Sequence, residues 1–233
     1  MKKIMVIAAL LICSSIIGQT NEGFVQNNPT ALAAAGNNNV RSQGQASLFI
    51  NPAREIDGSI HLFDNWENTA IIHTNDAQRF MLRNINLNLK RNTFESKISK
   101  DSLFTFNFNN IEKFVINNKV YKNYYWDDDN KVYQVIYDGD DFQILKGYKL
   151  EFVEGSANPM LNRARDKYIQ KEYYYLREEG RIKYFNLKKG RILKLLKGQE
   201  DKARKAEAYA KNNRLSFKRE LDVQKILEYS DNI

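Results

Sequence analysis

The chain has 233 residues, 42% hydrophobic, 27% charged and 12% aromatic, with three prolines. That composition excludes a disordered or fibrous polymer and is long enough to bury a sizeable core. One cysteine and two histidines leave little thiol or imidazole chemistry, and the net charge of +8 sits at one end: residues 160–233 carry 20 Lys and Arg against 11 Asp and Glu, residues 1–159 carry 16 against 17.

Lys2 and Lys3, an apolar run from Ile4 to Ile17 and then Gly18 predict a secretory signal peptide over residues 1–18, cut between Gly18 and Gln19. A membrane span needs about 20 apolar residues, so no transmembrane span is expected in the mature chain. The competing reading is lipidation at Cys13 after Leu10, Leu11 and Ile12, but Ile12 is larger than the small residue that normally precedes a lipidated cysteine. With Cys13 removed, the mature chain has no thiol. The expected location is exported, periplasmic or secreted.

Residues 19–46 hold Asn27, Asn28, Pro29, Ala33 to Ala35, Gly36, Asn37 to Asn39 and Gly44 without a sustained period, which predicts a flexible leader. From 47 to 187 the period is two. Ile60 and Leu62, Ile72 and Thr74, Phe80 and Leu82, Leu87 and Leu89, Phe104, Phe106 and Phe108, then Phe114 and Ile116 alternate with polar residues. Asp64 to Asn68, Asn75 and Asp76, Arg91 and Asn92, Asn109 and Asn110, Asn117 and Asn118, and Asp138 and Gly139 separate these runs. Short alternating runs punctuated by Asn, Asp and Gly predict about a dozen antiparallel strands joined by hairpins. A sheet of that size curls or splits, so the expected fold is α+β, mainly β, an antiparallel meander forming a sandwich or open barrel.

Over 188–233 the spacing becomes helical. Ile192, Leu193, Leu195 and Leu196, then Ala203, Ala206, Tyr209 and Ala210, then Val223, Ile226 and Leu227 each form one apolar stripe. Two or three basic amphipathic helices packed on the β domain are expected, because short helices need a surface on which to bury their stripes.

Ser47-Leu48-Phe49-Ile50-Asn51 leading to Gly58-Ser59-Ile60, Leu89 to Ile98 with Asn92, Phe94, Glu95 and Ser96, and Leu215-Ser216-Phe217-Lys218 with Ile226-Leu227-Glu228-Tyr229 carry a resemblance. The order of pieces resembles exported β-rich proteins of flavobacterial type, a group with no established activity. The resemblance implies an envelope setting.

The chain has no GxSxG elbow, Walker loop, dinucleotide glycine fingerprint or HExxH pair. His61 and His73 are expected in adjacent strands, too few ligands for zinc. Asp127 to Asn130 and Asp138 to Asp141 read as solvated turns, held apart by a strand and lacking EF-hand spacing. Glu67, Glu95 and Asp101 are the dispersed carboxylates on which a hydrolase would depend. Tyr124, Tyr125 and Trp126 beside the Asp127 turn are the candidate ligand-binding residues, because aromatic faces next to Asp and Asn suit a sugar. Cross-strand packing is the competing role of these rings. Lys188, Lys189, Arg191, Lys194 and Lys197 form a candidate basic surface.

The function expected is that of a non-enzymatic cell-envelope protein with a binding or structural role, the alternative being a ligand-binding module for a glycan or lipid. No catalytic residue, cofactor or metal is expected. An envelope component or another exported protein is the expected partner, and export argues against nucleic acid.

Overall fold

In the computed structural model the described residues are 23–24, 44–48, 56–156, 160, 165–196 and 200–232. The expected signal peptide, Cys13 and most of the expected leader lie outside them. In chain order the strands are β1 (Gly23–Phe24), β2 (Gly44–Leu48), β3 (Thr69–Thr74), β4 (Arg79–Arg83), β5 (Ile85–Asn88), β6 (Thr93–Ser99), β7 (Ser102–Phe106) and β8 (Ile111–Ile116). They continue with β9 (Lys119–Trp126), β10 (Asp129–Asp138), β11 (Phe142–Val153), β12 (Lys167–Glu178) and β13 (Arg181–Phe185). Three helices follow, α1 (Lys189–Leu195), α2 (Glu200–Asn212) and α3 (Glu220–Asp231).

The hairpin turns follow from residues that tolerate positive φ. Asn117 and Asn118 sit at 50° and 61°, and Asp127 and Asp128 at 57° and 56°, so both central residues have the sign a type I′ turn requires. The turn between β12 and β13 uses Glu179 at 48° and Gly180 at 79°. Glutamate lacks the local hydrogen bonding that eases Asn and Asp into this region. Glu179→Asn is expected to stabilise the protein by roughly 0.5–1 kcal/mol, read as a higher urea midpoint with unchanged m.

The strands form two sheets. The long one runs β1-β4-β3-β8-β9-β10-β11-β12-β13, the short one β2-β7-β6-β5. Every ladder between the described strands is antiparallel except β1 with β4. Neither sheet closes on itself. The result is a sandwich in which one face of the long sheet is covered by the short sheet at one end and by the helices at the other.

Alternation explains both cores. Phe94, Phe104 and Phe106 of the short sheet meet Phe114, Ile116, Tyr121 and Val132 of the long one, with Phe94 and Phe114 centroids 4.2 Å apart. Ile144, Leu176 and Phe185 of the long sheet meet Ile192, Ala206, Ala210, Val223, Ile226 and Leu227 of the helices. Residues directly opposite one another in a ladder share a face. Tyr133, opposite Lys122 and Gly147, therefore lies on the other face from its neighbour Val132, where it packs with Leu145, Tyr175 and Ile182.

Two segments depart from the sequence reading. Residues 19–46 were expected to be a flexible leader, yet β1 lies within them, and β2 starts at Gly44, ahead of the expected domain start at 47. Ala46 and Leu48 pair with Phe104 and Ser102, which makes β2 an edge strand of the short sheet. Ile60 and Leu62, expected in a strand, lie instead in a stretch of bridges and bends over residues 57–63. Their backbone bonds go to different partners: Asp57 N–H to Asp166, Leu62 N–H to Leu87, and Leu89 N–H to the carbonyl of Ile60. This segment crosses between the sheets and so cannot keep one ladder.

Candidate functional site: a cleft where the sheet parts

β10 and β11 pair from Asp138↔Gln143 to Tyr133↔Gly147 and no further. Beyond that point β10 continues to Asp129 on β9, and β11 continues to Val153 on β12. The two strands part because each follows a different partner, and the tip of the β5–β6 hairpin stands at the opening.

Asn92, at φ 56° in that tip, bonds the freed edge of β10 with both ends of its amide. Its Oδ1 accepts the Val132 N–H at 3.1 Å, and its Nδ2 donates to the Asn130 carbonyl at 2.8 Å. The side chain stands in for a strand, which satisfies the freed backbone groups without closing the gap.

The tip is itself anchored. Asn88 Oδ1 accepts the N–H groups of Lys90 and Arg91 at 3.1 and 3.0 Å, and its Nδ2 donates to Glu95 Oε1 at 3.0 Å. Glu95 is 1% exposed and lies 2.9 Å from His61 Nε2 through its other oxygen. A carboxylate only accepts, so the imidazole carries its proton on Nε2. The Trp66 ring meets the His61 ring edge-on at 4.7 Å.

The resulting cleft has a volume of about 650 Å³, within the range of small-ligand sites. Tyr133, Tyr148, Tyr168, Tyr175 and Phe152 supply aromatic surface. Gly147 stands at the parting point because the Tyr133 and Tyr175 rings cross over it. A Cβ there would lie 2.8 Å from Tyr175 Cε2 and 3.0 Å from Tyr133 Cε1. Lys90, Lys131 and Lys149 also line the cleft, all exposed, with Asp129. Lys131 lies 3.5 Å from Asp129, whereas Lys90 and Lys149 make no ion pair among the described residues. The cleft therefore offers rings, backbone and a surplus of positive charge.

The sequence-chosen aromatic residues lie beside this cleft and do not line it. Tyr124 packs at 6.2 Å from Tyr133, donates to Gln143 Oε1 at 3.0 Å, and lies under the Arg177 guanidinium at 4.6 Å. Tyr125 is 65% exposed, with its hydroxyl on Asp128 at 3.1 Å. Trp126 is exposed at the end of β9, directly opposite the cleft residue Asp129. Tyr133, Tyr148, Lys90, Lys131 and Lys149 line the cleft without any sequence motif that marks them; the only local signal is that the two tyrosines belong to the tyrosine-rich stretch from Tyr121 to Tyr148.

His61 and His73 are not on adjacent strands. His61 bridges to Asn88 at the edge of the short sheet, while His73 lies in β3 of the long sheet opposite Arg79 and Lys113. Glu67 and Asp101 are exposed, and Glu95 is committed to its buried partners. The acidic turns lie at opposite ends of β10. No group of three or more His, Cys, Asp or Glu that could hold a metal occurs among the described residues. On the helical end Lys188, Lys189, Arg191 and Lys194 are exposed, Lys189 bonds Glu207 at 2.6 Å, and Lys197 lies outside the described residues. Among those residues, no helix is long and apolar enough to cross a membrane.

Burial raises the hydroxyl pKa of both Tyr121 and Tyr133 to about 12. A raised folded-state value means stability that is complete below the ordinary tyrosine value of 10.0 and is lost as pH climbs through about 12. Glu220 behaves in the opposite sense. Burial raises its pKa, but hydrogen bonds from Lys146 and Tyr174 outweigh this and hold it below the ordinary 4.5. Its contribution is present above that value and lost as pH falls below it. Stability measured against pH should thus form a plateau that falls below about 4.5 and above about 10, the alkaline fall coinciding with tyrosinate absorbance. A flat profile between pH 10 and 12 would contradict the burial of these hydroxyls.

Comparison with protein-family models, with curated proteins and with solved structures gives no match.

Proposed function

We propose that the protein is a non-enzymatic binding module of the cell envelope and that its ligand sits in the cleft between β10 and β11. One observation carries the reading: the sheet stops pairing at Tyr133↔Gly147, and the opening is kept as a 650 Å³ cleft by a side chain that caps one of its edges. A fold with no use for the gap would gain by extending the β10–β11 ladder across it. The lining combines aromatic faces with lysines, a pairing that suits ligands with an apolar face and negative charge. The signal-like start at Lys2 to Gly18 supports the envelope setting.

The test is binding by the purified protein to three probe sets: a glycan array, anionic phospholipid vesicles, and short extended peptides. Leu150→Trp fills the cleft from a half-buried position on β11. Saturable binding to one set is expected, weakened by about tenfold or more in Leu150→Trp at an unchanged melting temperature. Binding to none, or equal binding by the variant, would overturn the proposal. Vesicle binding that survives Leu150→Trp but is lost on charge reversal of Lys188, Arg191 and Lys194 would assign function to the helical surface instead.

A further inference from the structure

We infer that the cleft accepts an extended peptide as an added strand along β11, with apolar side chains facing inward and acidic ones facing outward. This deepens the proposed binding role and rests on it. In a regular strand, the N–H and C=O of a residue point to one side and those of the next residue to the other. The Tyr168 N–H bonds Asp57, away from β11, so in β12 the odd-numbered residues Lys167, Ile169 and Lys171 face β11. Their partners are Val153, Glu151 and Lys149. The alternate residues Tyr148, Leu150 and Phe152 therefore aim their N–H and C=O groups into the gap.

The opposite wall gives the same parity independently. The Val132 N–H points into the gap, to Asn92, and the register Tyr133↔Gly147 would place Val132 opposite Tyr148 as a mutually bonded pair had the ladder continued. Asn92 caps β10. Along β11 past the last rung of the ladder, no backbone partner for Leu150 or Phe152 on this side occurs among the described residues. An unpaired strand edge with both donors and acceptors is a template for another strand.

The register also sets which side chains such a strand needs. Tyr148, Leu150 and Val132 share the inward face, so alternate residues of the added strand would meet Leu150 and Leu89. Lys149 of β11 and Lys131 of β10 share the outward face, one on each side of the gap. Residues of the added strand between them are favoured when acidic, because opposite charges on laterally neighbouring strands attract. An antiparallel strand is expected, as antiparallel pairs are the commoner kind and both neighbours of β11 already run that way.

The probe is acetyl-Val-Glu-Val-Glu-Val-Glu-Val-amide with the full-length protein, read by amide hydrogen exchange and titration. In the free protein, the amides of Leu150 and Phe152 should exchange about a hundredfold faster than those of Lys149, Glu151 and Val153. The peptide should slow those two by about tenfold or more. In the antiparallel arrangement the inward residues point their N–H at β11, so N-methylation of the valines should weaken binding by about tenfold or more, and N-methylation of the glutamates by less than about threefold. Lys131→Glu with Lys149→Glu should reverse the preference toward the Val-Lys analogue. If the amides of Leu150 and Phe152 are already protected in the free protein, or if both N-methylated copies bind like the parent, the inference fails. A glycan or lipid that binds, is blocked by Leu150→Trp and leaves the Leu150 and Phe152 amides unprotected would overturn the peptide but leave the binding cleft standing. No ligand of any class would overturn both.

Discussion

Lys146→Ala should cost about 3 kcal/mol of stability, seen as a lower urea midpoint and a melting temperature reduced by roughly 6–12 °C. Lys146 is 6% exposed, and its Nζ lies 2.8 Å from Glu220 Oε1 and 2.7 Å from Glu172 Oε2. The Tyr174 hydroxyl donates to the same Glu220 oxygen at 2.7 Å. Glu172 is half exposed and adds little; the effect comes from Glu220, the first residue of α3, whose negative charge also suits the helix N-terminus. At the other end of α3 the Tyr137 hydroxyl donates to both Asp231 oxygens at 2.7 and 2.8 Å. This helix, one of the three at that end of the long sheet, is therefore pinned at both ends. Removing the lysine leaves a partly buried carboxylate with one partner gone. The double variant Lys146→Met with Glu220→Gln should lose less than Lys146→Ala, because no charge is then stranded. A Lys146→Ala loss below about 1 kcal/mol would show that the apolar contacts of Ile226 and Leu227 hold α3 without the clamp.

Glu95→Ala is the second large effect, also about 3 kcal/mol, and it should reach the cleft. The substitution strands the Asn88 amide and the His61 imidazole, both buried, while the loss at Arg91 is small because that side chain is 61% exposed. Asn88 holds the turn that presents Asn92, so the Val132 amide should lose exchange protection and any cleft ligand should bind less tightly. Glu95→Gln keeps the shape and one acceptor, so a loss of roughly 1–2 kcal/mol is expected. Equal unfolding free energies for Glu95→Ala and wild type would remove the anchoring role.

Strand alternation and turn chemistry are local, and they carried the β assignment from Ile72 to Phe185. Asn117-Asn118 and Asp127-Asp128 marked hairpins because only a few residue types accept positive φ cheaply. The helices were equally legible, since Ala206, Ala210, Val223, Ile226 and Leu227 of the two stripes are buried, and Ala203 partly buried, in the core that the helices share with the sheet. Residues 57–63 misled for the opposite reason. Their alternation satisfied a local rule while their backbone bonds were claimed by partners far away in sequence.

The site was less legible. Tyr124, Tyr125 and Trp126 lie near the Asp129 end of β10, where the cleft opens, but it is Tyr133 and Tyr148 that line it. Tyr124, however, is packed among Tyr133, Gln143 and Arg177, an environment that no spacing in the sequence reveals. Lys90 and Lys149 belong to one surface only because a hairpin tip from the short sheet reaches an opening in the long one.

The kinds of element, their order, the β-then-helix division and the uneven charge can be read along the chain, because each is written in residues close together. Where the ladder between β10 and β11 stops, which edge Asn92 caps and which backbone groups are left facing the gap are set by the folded chain alone. Pairing is a relation between distant residues, and a strand's pattern of side chains is the same whether its next neighbour is present or absent.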